Sequence, residues 1–317
     1  MTRRSALIAP MLGSSLALAQ PARSLAASAP KRLNKVIELL ELGQPTYYTM
    51  AMGGYDEGRK LATTWADFII YDMEHGPFDV AALREFMRGL VDGGPTKSGH
   101  RTPAVIPQLP VGGWDEATMR ANYWMVQQVL DTGAHGIHLC HAVDPGAIRV
   151  MVEAARYPFN KKGSGEALGE GRRGSGGQAR GAEIWGISVS DYLRKADVWP
   201  LNPEGEILLG IKIENKHALA NTEKNTKVPG IAFAEWGPGD MGMSMGYPQA
   251  HDAPYPVEMQ RARSRVMDAC KTNKLFFLNS VNASNIEAMI REGVMIGAGN
   301  EEAAEKGRRF TKRTMPW

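Results

Sequence analysis

Eight short, apolar, β-prone runs recur along this chain, and segments of helical spacing separate them. The runs fall at 46–52, 68–71, 103–108, 136–141, 207–214, 231–236, 275–278 and 294–298. Helical spacing of apolar residues predicts helices over 33–42, 57–66, 80–91, 114–130, 145–156, 191–196, 216–224, 257–272, 283–292 and 301–310. Strands that are apolar on both faces belong in a parallel sheet covered by helices. Eight of them alternating with helices count out a (β/α)8 TIM barrel, an α/β fold in a single domain. The 287 positions from 31 to 317 exceed the about 250 residues such a barrel needs. A dinucleotide-binding fold is the weaker alternative. One stretch breaks the rhythm: residues 157–180 are rich in Gly, Ser, Lys and Arg, and read as a functional or disordered loop.

A net charge of +3 over 317 residues is too small to argue for nucleic acid, and no basic stripe interleaved with aromatics accompanies it. The two cysteines, Cys140 and Cys270, make no framework and no metal pattern. Two buried thiols are the expected state, and one bridge between them is the alternative. Residues 1–30 read as a leader and linker outside the barrel. Arg3-Arg4 precedes a weak apolar stretch ending at Ala17-Leu18-Ala19, which resembles a twin-arginine export signal. A periplasmic or exported protein is expected, with a cytoplasmic protein carrying a disordered leader as the alternative. Pro10 and Gly13 interrupt the stretch, and no other segment is apolar enough to span a bilayer, so no membrane partner is expected.

In a barrel of this kind the chemistry lies at the carboxyl ends of the strands. The second run, Phe68-Ile69-Ile70-Tyr71, ends in Asp72, Glu74 and His75 before a Gly-Pro turn. Imidazole beside carboxylate is a proton-moving pair near neutral pH. The fourth run carries His138 and His141, the fifth ends Lys212-Ile213-Glu214, and the sixth reaches Asp240 through Gly237-Pro238-Gly239. Glu214 and Asp240 end consecutive strands. Two such carboxylates without cysteine suit a hard divalent ion, Mg2+ or Mn2+, with Co2+ a further option. Lys212 and Glu214 share one side of their strand. The turn around Pro238 and Gly239 offers bare backbone N–H groups to a carboxylate or enolate. His141 is a candidate for a substrate proton or for metal, against a packed histidine. His138 lies deeper and reads as structural, and His135 and His217 are expected at solvent-facing helix ends. Met241, Met243 and Met245 read as packing or a pocket wall.

Taken in order, Asp72-Met73-Glu74-His75-Gly76-Pro77, Gly133-Ala134-His135-Gly136-Ile137, Arg156-Tyr157-Pro158, Arg173-Gly174, Ile213-Glu214 and the run from Val228-Pro229-Gly230-Ile231 to Gly237-Pro238-Gly239-Asp240 resemble the HpcH/HpaI aldolases. These are class II, metal-dependent 2-oxo acid aldolases of the phosphoenolpyruvate/pyruvate barrel superfamily. The resemblance spans about 33–299 of the chain. It implies a divalent metal on Glu214 and Asp240, a base at His75 assisted by Asp72, and pyruvate held by its carboxylate and 2-oxo oxygens. It further implies carboxylate binding near Gly239 and Pro238, an arginine of the Arg173-Gly174 pair meeting substrate, and a homotrimer or homohexamer.

The departures are specific. The family's strand-three arginine, which steadies the enolate, aligns with Ile106. A Pro-Met pair is replaced by Cys140-His141, and the glutamine two before the metal glutamate by Lys212. An insertion over 160–171 lengthens the loop before Arg173. Losing a charged donor at an oxyanion costs on the order of 3 kcal/mol, about a hundredfold in rate. Lys212 is the candidate replacement, against a lysine that merely neutralises Glu214. The reading is a divergent metal-dependent carbon–carbon lyase acting on a 2-oxo or 4-hydroxy-2-oxo acid through a metal-stabilised enolate. Its rivals are another lyase or hydrolase on the same metal site, cleavage of a CoA ester, and a non-catalytic periplasmic binder of small oxo acids.

Overall fold

The computed structural model describes residues 31–165 and 167–317. The leader expected over 1–30 lies outside the described residues. Nine parallel strands form one sheet: β1 (Thr46–Ala51), β2 (Phe68–Asp72), β3 (Ala104–Gln108), β4 (Gly136–Leu139), β5 (Val198–Trp199), β6 (Ile207–Ile213), β7 (Phe233–Trp236), β8 (Phe276–Ser280) and β9 (Val294–Ala298). β1 pairs with both β2 and β9, and β4 pairs directly with β6, which closes eight strands into a barrel. The two-residue β5 is an appendage on β6 that no apolar run announced.

The side chains alternate with period two, as a pleated strand requires. Phe68, Ile70, Ala104, Ile106, Leu208, Phe233, Leu278 and Ile296 form an apolar plug inside the barrel. Val36, Ile37 and Leu40 of the helix Lys35–Glu41 join it and stopper the amino end. The intervening residues, such as Ile69, Val105, Ile137, Leu209 and Ile211, pack outward against the helices. Phe233 swings its ring over Gly210, where an added Cβ would come within 2.0 Å of it. Nearer the carboxyl ends the inward positions turn polar: Gln108, His138, Lys212 and Glu235.

The helix expected over 114–130 is two, Glu116–Asn122 and Trp124–Leu130, and the one over 216–224 breaks at Asn221. The irregular stretch ends in a helix, Gln178–Trp185, whose Gly and Arg content masked its short apolar face. Among the described residues no helix is long and apolar enough to cross a membrane. Both cysteines are buried and free, as expected of the pair.

The helices Tyr55–Leu61 and Val80–Asp92 cross at a pair of glycines. A Cβ on Gly58 would stand 2.1 Å from the Phe86 carbonyl oxygen, and one on Gly89 would stand 2.1 Å from that of Tyr55. Backbone cannot yield as a side-chain tip does. Gly58→Ala is therefore expected to destabilise the fold by about 2–3 kcal/mol despite alanine's better helix propensity. Urea denaturation checks this, and a neutral or stabilising result would show that the crossing is loose.

Candidate active site

β2 carries Asp72 on its inward side at the rim, and the chain then turns sharply. The Asp72 carboxylate accepts the backbone N–H groups of Glu74 (2.9 Å) and His75 (3.1 Å). Its other oxygen meets His75 Nδ1 at 2.9 Å. Burial works to raise the Asp72 carboxyl, but these bonds outweigh it and hold it below the usual range. The same bond to Asp72 raises the His75 imidazole. His75 stays open to the mouth, with 64% of its side chain exposed.

Across the mouth β6 contributes Lys212 and Glu214. Lys212 Nζ lies 3.0 Å from Glu74 Oε2 and 2.9 Å from Glu214 Oε2, so one ammonium bridges carboxylates from two strands. Burial pulls this ammonium toward neutrality, yet the surrounding carboxylates of Glu235, Glu214 and Glu74 prevail and hold it protonated. It is no free amine nucleophile. Glu214 is fully buried, and burial pushes its carboxyl upward. Oε1 of Glu214 accepts the His141 backbone N–H at 2.6 Å. Among the described residues no hydrogen bond of acceptable geometry ends on its Oε2; the Lys212 contact there is an ion pair.

His141 closes the other edge. Its Nδ1 lies 3.4 Å from Glu214 Oε1 and its Nε2 3.6 Å from Glu74 Oε1. One donor atom each from Glu74, His141 and Glu214 lie within 4.8 Å of one another. That group mixes two carboxylates with an imidazole, a donor set suited to a divalent ion. Asp240, paired with Glu214 in the sequence reading, stands outside it. It is the third residue of the helix Pro238–Met245 rather than the end of a strand. The Gly-rich turn is that helix's first turn, with Gly237 as cap and Pro238 at its start. Gly237 is required there, since a Cβ would come 2.8 Å from Glu214 Cβ. The N–H groups at Gly239 and Asp240 therefore belong to a helix N-terminus beside the carboxylate cluster.

Two expected substrate contacts are elsewhere. Arg173 is buried away from solvent, bonded to Asp131 (2.8 Å) and the Tyr192 hydroxyl (2.9 Å) and stacked on Tyr157. It braces the long loop against the helix layer instead of meeting a ligand. Ile106 is wholly buried in the apolar plug, one inward step below Gln108, and borders no open space. His135 is likewise buried, not solvent-facing: Nδ1 accepts the Val105 N–H at 3.2 Å, and burial drops it to about 3.

Sequence reasoning did not bring Glu74 together with Glu214 and His141, and it missed Glu235 altogether. Glu235 sits on the inward side of β7, 3.4 Å from His138 Nε2, and burial lifts its carboxyl to about 7. Period-two counting back from Gly237 would have found it. Of the methionines, Met241 is buried and Met243 exposed, a helical and not an alternating pattern.

Fold and site together define a parallel α/β barrel with an acid–imidazole donor group at its carboxyl rim. The chain belongs to the HpcH/HpaI aldolase/citrate lyase family, whose model matches residues 58–300. It is 27% identical over 193 residues to a hydroxypyruvate/pyruvate aldolase of Sagittula stellata, covering 61% of this chain and 62% of that one. It is 28% identical over 200 residues to a 2-keto-3-deoxy-L-rhamnonate aldolase of Klebsiella pneumoniae, covering 63% and 61%. The matches thus span about three-fifths of the length of these curated relatives. A solved HpcH/HpaI family protein from Burkholderia cenocepacia shares the fold, with TM-score 0.63 at 20% identity over 85% of this chain and 93% of that one.

Proposed function

We propose that this chain is a divalent-metal-dependent carbon–carbon lyase that cleaves a 4-hydroxy-2-oxo acid to a 2-oxo acid and an aldehyde. The observation that carries the reading is the convergence of Glu74, His141 and Glu214 beside a helix N-terminus, with the Asp72–His75 pair across the mouth. The names of the two curated relatives described above, both aldolases, support it.

Glu74, Glu214 and His141 would hold the metal, which supplies Lewis-acid polarisation of a carbonyl oxygen when bound. The chain's residues do the rest. The Asp72 carboxylate accepts the Nδ1–H of His75, leaving Nε2 as the acceptor that faces the mouth. Nε2 removes the proton of the substrate's 4-hydroxyl. The C3–C4 bond breaks, the aldehyde carbonyl forms, and the bonding pair passes into the C2 carbonyl system. Lys212, fixed between two carboxylates, places positive charge on the side of the barrel where that oxygen becomes negative. The first-turn N–H groups around Gly239 receive the substrate carboxylate.

Purified protein given Mg2+, Mn2+ or Co2+ and 4-hydroxy-2-oxo acids is expected to release pyruvate, or a substituted 2-oxo acid, and to stop on chelation. Thermal stabilisation by oxo acids with no turnover would place it among binders instead. Lys212→Met is expected to cut kcat by about a hundredfold with metal still bound. Unchanged turnover would remove Lys212 from the chemistry.

A further inference from the structure

We infer that a cleft at the amino end of the barrel is a binding site for a small organic monoanion with an apolar body, separate from the acid–imidazole group at the mouth. The cleft lies between the chain entering β3, the chain entering β4 and the end of the helix Gln178–Trp185, and holds 590 Å3. Sites for drug-sized ligands run from about 300 to 1,000 Å3. His135 lines the cleft and stands just before β4, whereas His141 at the mouth follows β4. The two sites therefore occupy opposite ends of the barrel.

The first argument is a buried donor that lacks an acceptor. His135 is 3% exposed, and its Nδ1 accepts the Val105 N–H at 3.2 Å. The ring proton is therefore on Nε2. Burial drops the imidazole to about 3, so the ring is neutral near pH 7 and this tautomer is fixed. Trp185 stacks on it, with centroids 5.7 Å apart and planes 15° apart. Trp185 is itself anchored, its indole N–H donating to the Gly133 carbonyl at 2.8 Å. The stack and the Val105 bond together keep the ring from turning. Among the described residues no acceptor meets Nε2, and the ring borders the cleft. A buried N–H calls for an acceptor, and the cleft is where one can enter.

The second argument is charge. Lys31, Arg32, Arg101 and Lys195 line the cleft, and among the described residues no carboxylate does. Three carboxylates stand behind them. Glu41 pairs with Lys31 and Arg32, Glu206 lies 3.7 Å from Arg32 and 3.5 Å from Lys195, and Glu38 meets His100 at 3.2 Å. Burial holds His100 toward its neutral form, so four cations face three anions. The excess falls on Arg101, which pairs with no carboxylate among the described residues. Its Nε donates to the Ile184 carbonyl at 2.9 Å, and Nη2 reaches the Glu183 carbonyl only at 3.5 Å. The side chain lies against Gly186, where an added Cβ would come 2.8 Å from Arg101 Cδ. Those contacts hold the guanidinium at the cleft wall and leave Nη1 with no partner among the described residues.

The third argument is the remaining lining. Leu33, Val91, Ile184, Trp185 and Ile187 supply apolar surface between the polar groups. A bare inorganic anion leaves that surface wet. A neutral apolar molecule leaves Arg101 and His135 without an acceptor. One carboxylate on an aromatic or branched body satisfies both.

The test uses the full chain as purified, with benzoate as the probe, benzyl alcohol as its neutral counterpart and inorganic phosphate as the bare anion. Calorimetric titration is expected to show one benzoate site with Kd below about 1 mM, and at least about tenfold weaker binding of the other two. Arg101→Gln is expected to weaken benzoate by at least about tenfold. His135→Phe keeps the stack on Trp185 but removes the N–H, and is expected to weaken it by at least about fivefold. Phenylalanine also leaves the Val105 N–H without its acceptor, so a second variant, Ile187→Trp, fills the cleft from its wall and removes no hydrogen bond of the His135 ring. It is expected to abolish benzoate binding with thermal melting like the parent's. No benzoate binding at about 10 mM, or undiminished binding in Arg101→Gln or Ile187→Trp, overturns the inference. So does benzyl alcohol or phosphate binding as tightly as benzoate, or displacement of benzoate by pyruvate, which would put the probe at the mouth.

Discussion

Replacing His75 with asparagine is expected to lower kcat by about a thousandfold while metal affinity stays within about twofold. His75 is an imidazole at the mouth whose second nitrogen is both oriented and open; His251, with Nδ1 3.2 Å from Asp252 and its ring beside Gly239, is a second. His75 Nδ1 is engaged by Asp72 at 2.9 Å, and Nε2 is 4.0 Å from Glu74 Oε2 with most of the ring exposed. His141 is committed to Glu74 and Glu214, and His138 lies buried against Glu235, where burial keeps it neutral. Neither can reach a hydroxyl outside the rim. The role predicts a split between two steps. Exchange of the pyruvate C3 protons with deuterium needs the carbonyl polarised but no base on the hydroxyl side. It should persist in His75→Asn while cleavage is lost. Asp72→Asn should move cleavage in the same direction, since it leaves Nδ1 without its acceptor. Full cleavage activity in His75→Asn would pass the proton to Glu74. Loss of exchange and cleavage together would show that His75 also shapes the polarising site.

What could be read from residues alone divides along physical lines. The eight strands and their order were legible because parallel strands buried on both faces are short apolar runs, and the interruptions between them carry Gly and Pro. Asp72, His75, Lys212 and Glu214 were legible as positions because a barrel sends strand ends to one face. Their partnerships were not. Lys212 and Glu214 share a side by parity. That Lys212 reaches Glu74, 138 residues away, depends on the curl of the chain past Asp72. Asp240 was misplaced for a similar reason: Gly237-Pro238-Gly239 reads as a turn ending a strand, and it proves to be the first turn of a helix. Arg173 illustrates the opposite failure. A lone arginine in a polar loop looks solvated, but Tyr157 and Tyr192 close over it, and neither adjoins it in sequence closely enough to show periodicity. Ile106 was read as standing where the family has an arginine; its depth within the plug comes from the stagger of strands, which the sequence does not carry.

The largest expected effect on stability lies at the other end of the barrel, at Asp67, where no chemistry is proposed. Its buried carboxylate lies 3.2 Å from Lys35 Nζ, 2.8 Å from Arg313 Nη1 and 3.4 Å from Arg308 Nη2, and it accepts the Tyr47 N–H at 3.1 Å. Those partners come from the stoppering helix, β1, the last helix and the tail, so one side chain ties four segments. Asp67→Ala strands three cations whose side chains are at most 8% exposed. It is expected to cost about 3–5 kcal/mol in urea denaturation at pH 7. The pH dependence has one sign in two separate windows: stability rises with pH in each. Burial raises Asp67, but Arg313, Lys35 and Arg308 overcome it and hold it below the unfolded value of about 3.9. Its contribution is complete above that value and is lost as pH falls through the lower folded one. Burial lowers Lys35 to about 8, so between there and about 10.4 the unfolded chain binds more protons and stability rises with pH. Lys35→Met should therefore flatten the alkaline rise and spare the acid limb, while Asp67→Ala removes most of the acid limb. A cost under about 1 kcal/mol for Asp67→Ala would mean that the freed cations reach water, and that the amino end of the barrel is held by the apolar stopper alone.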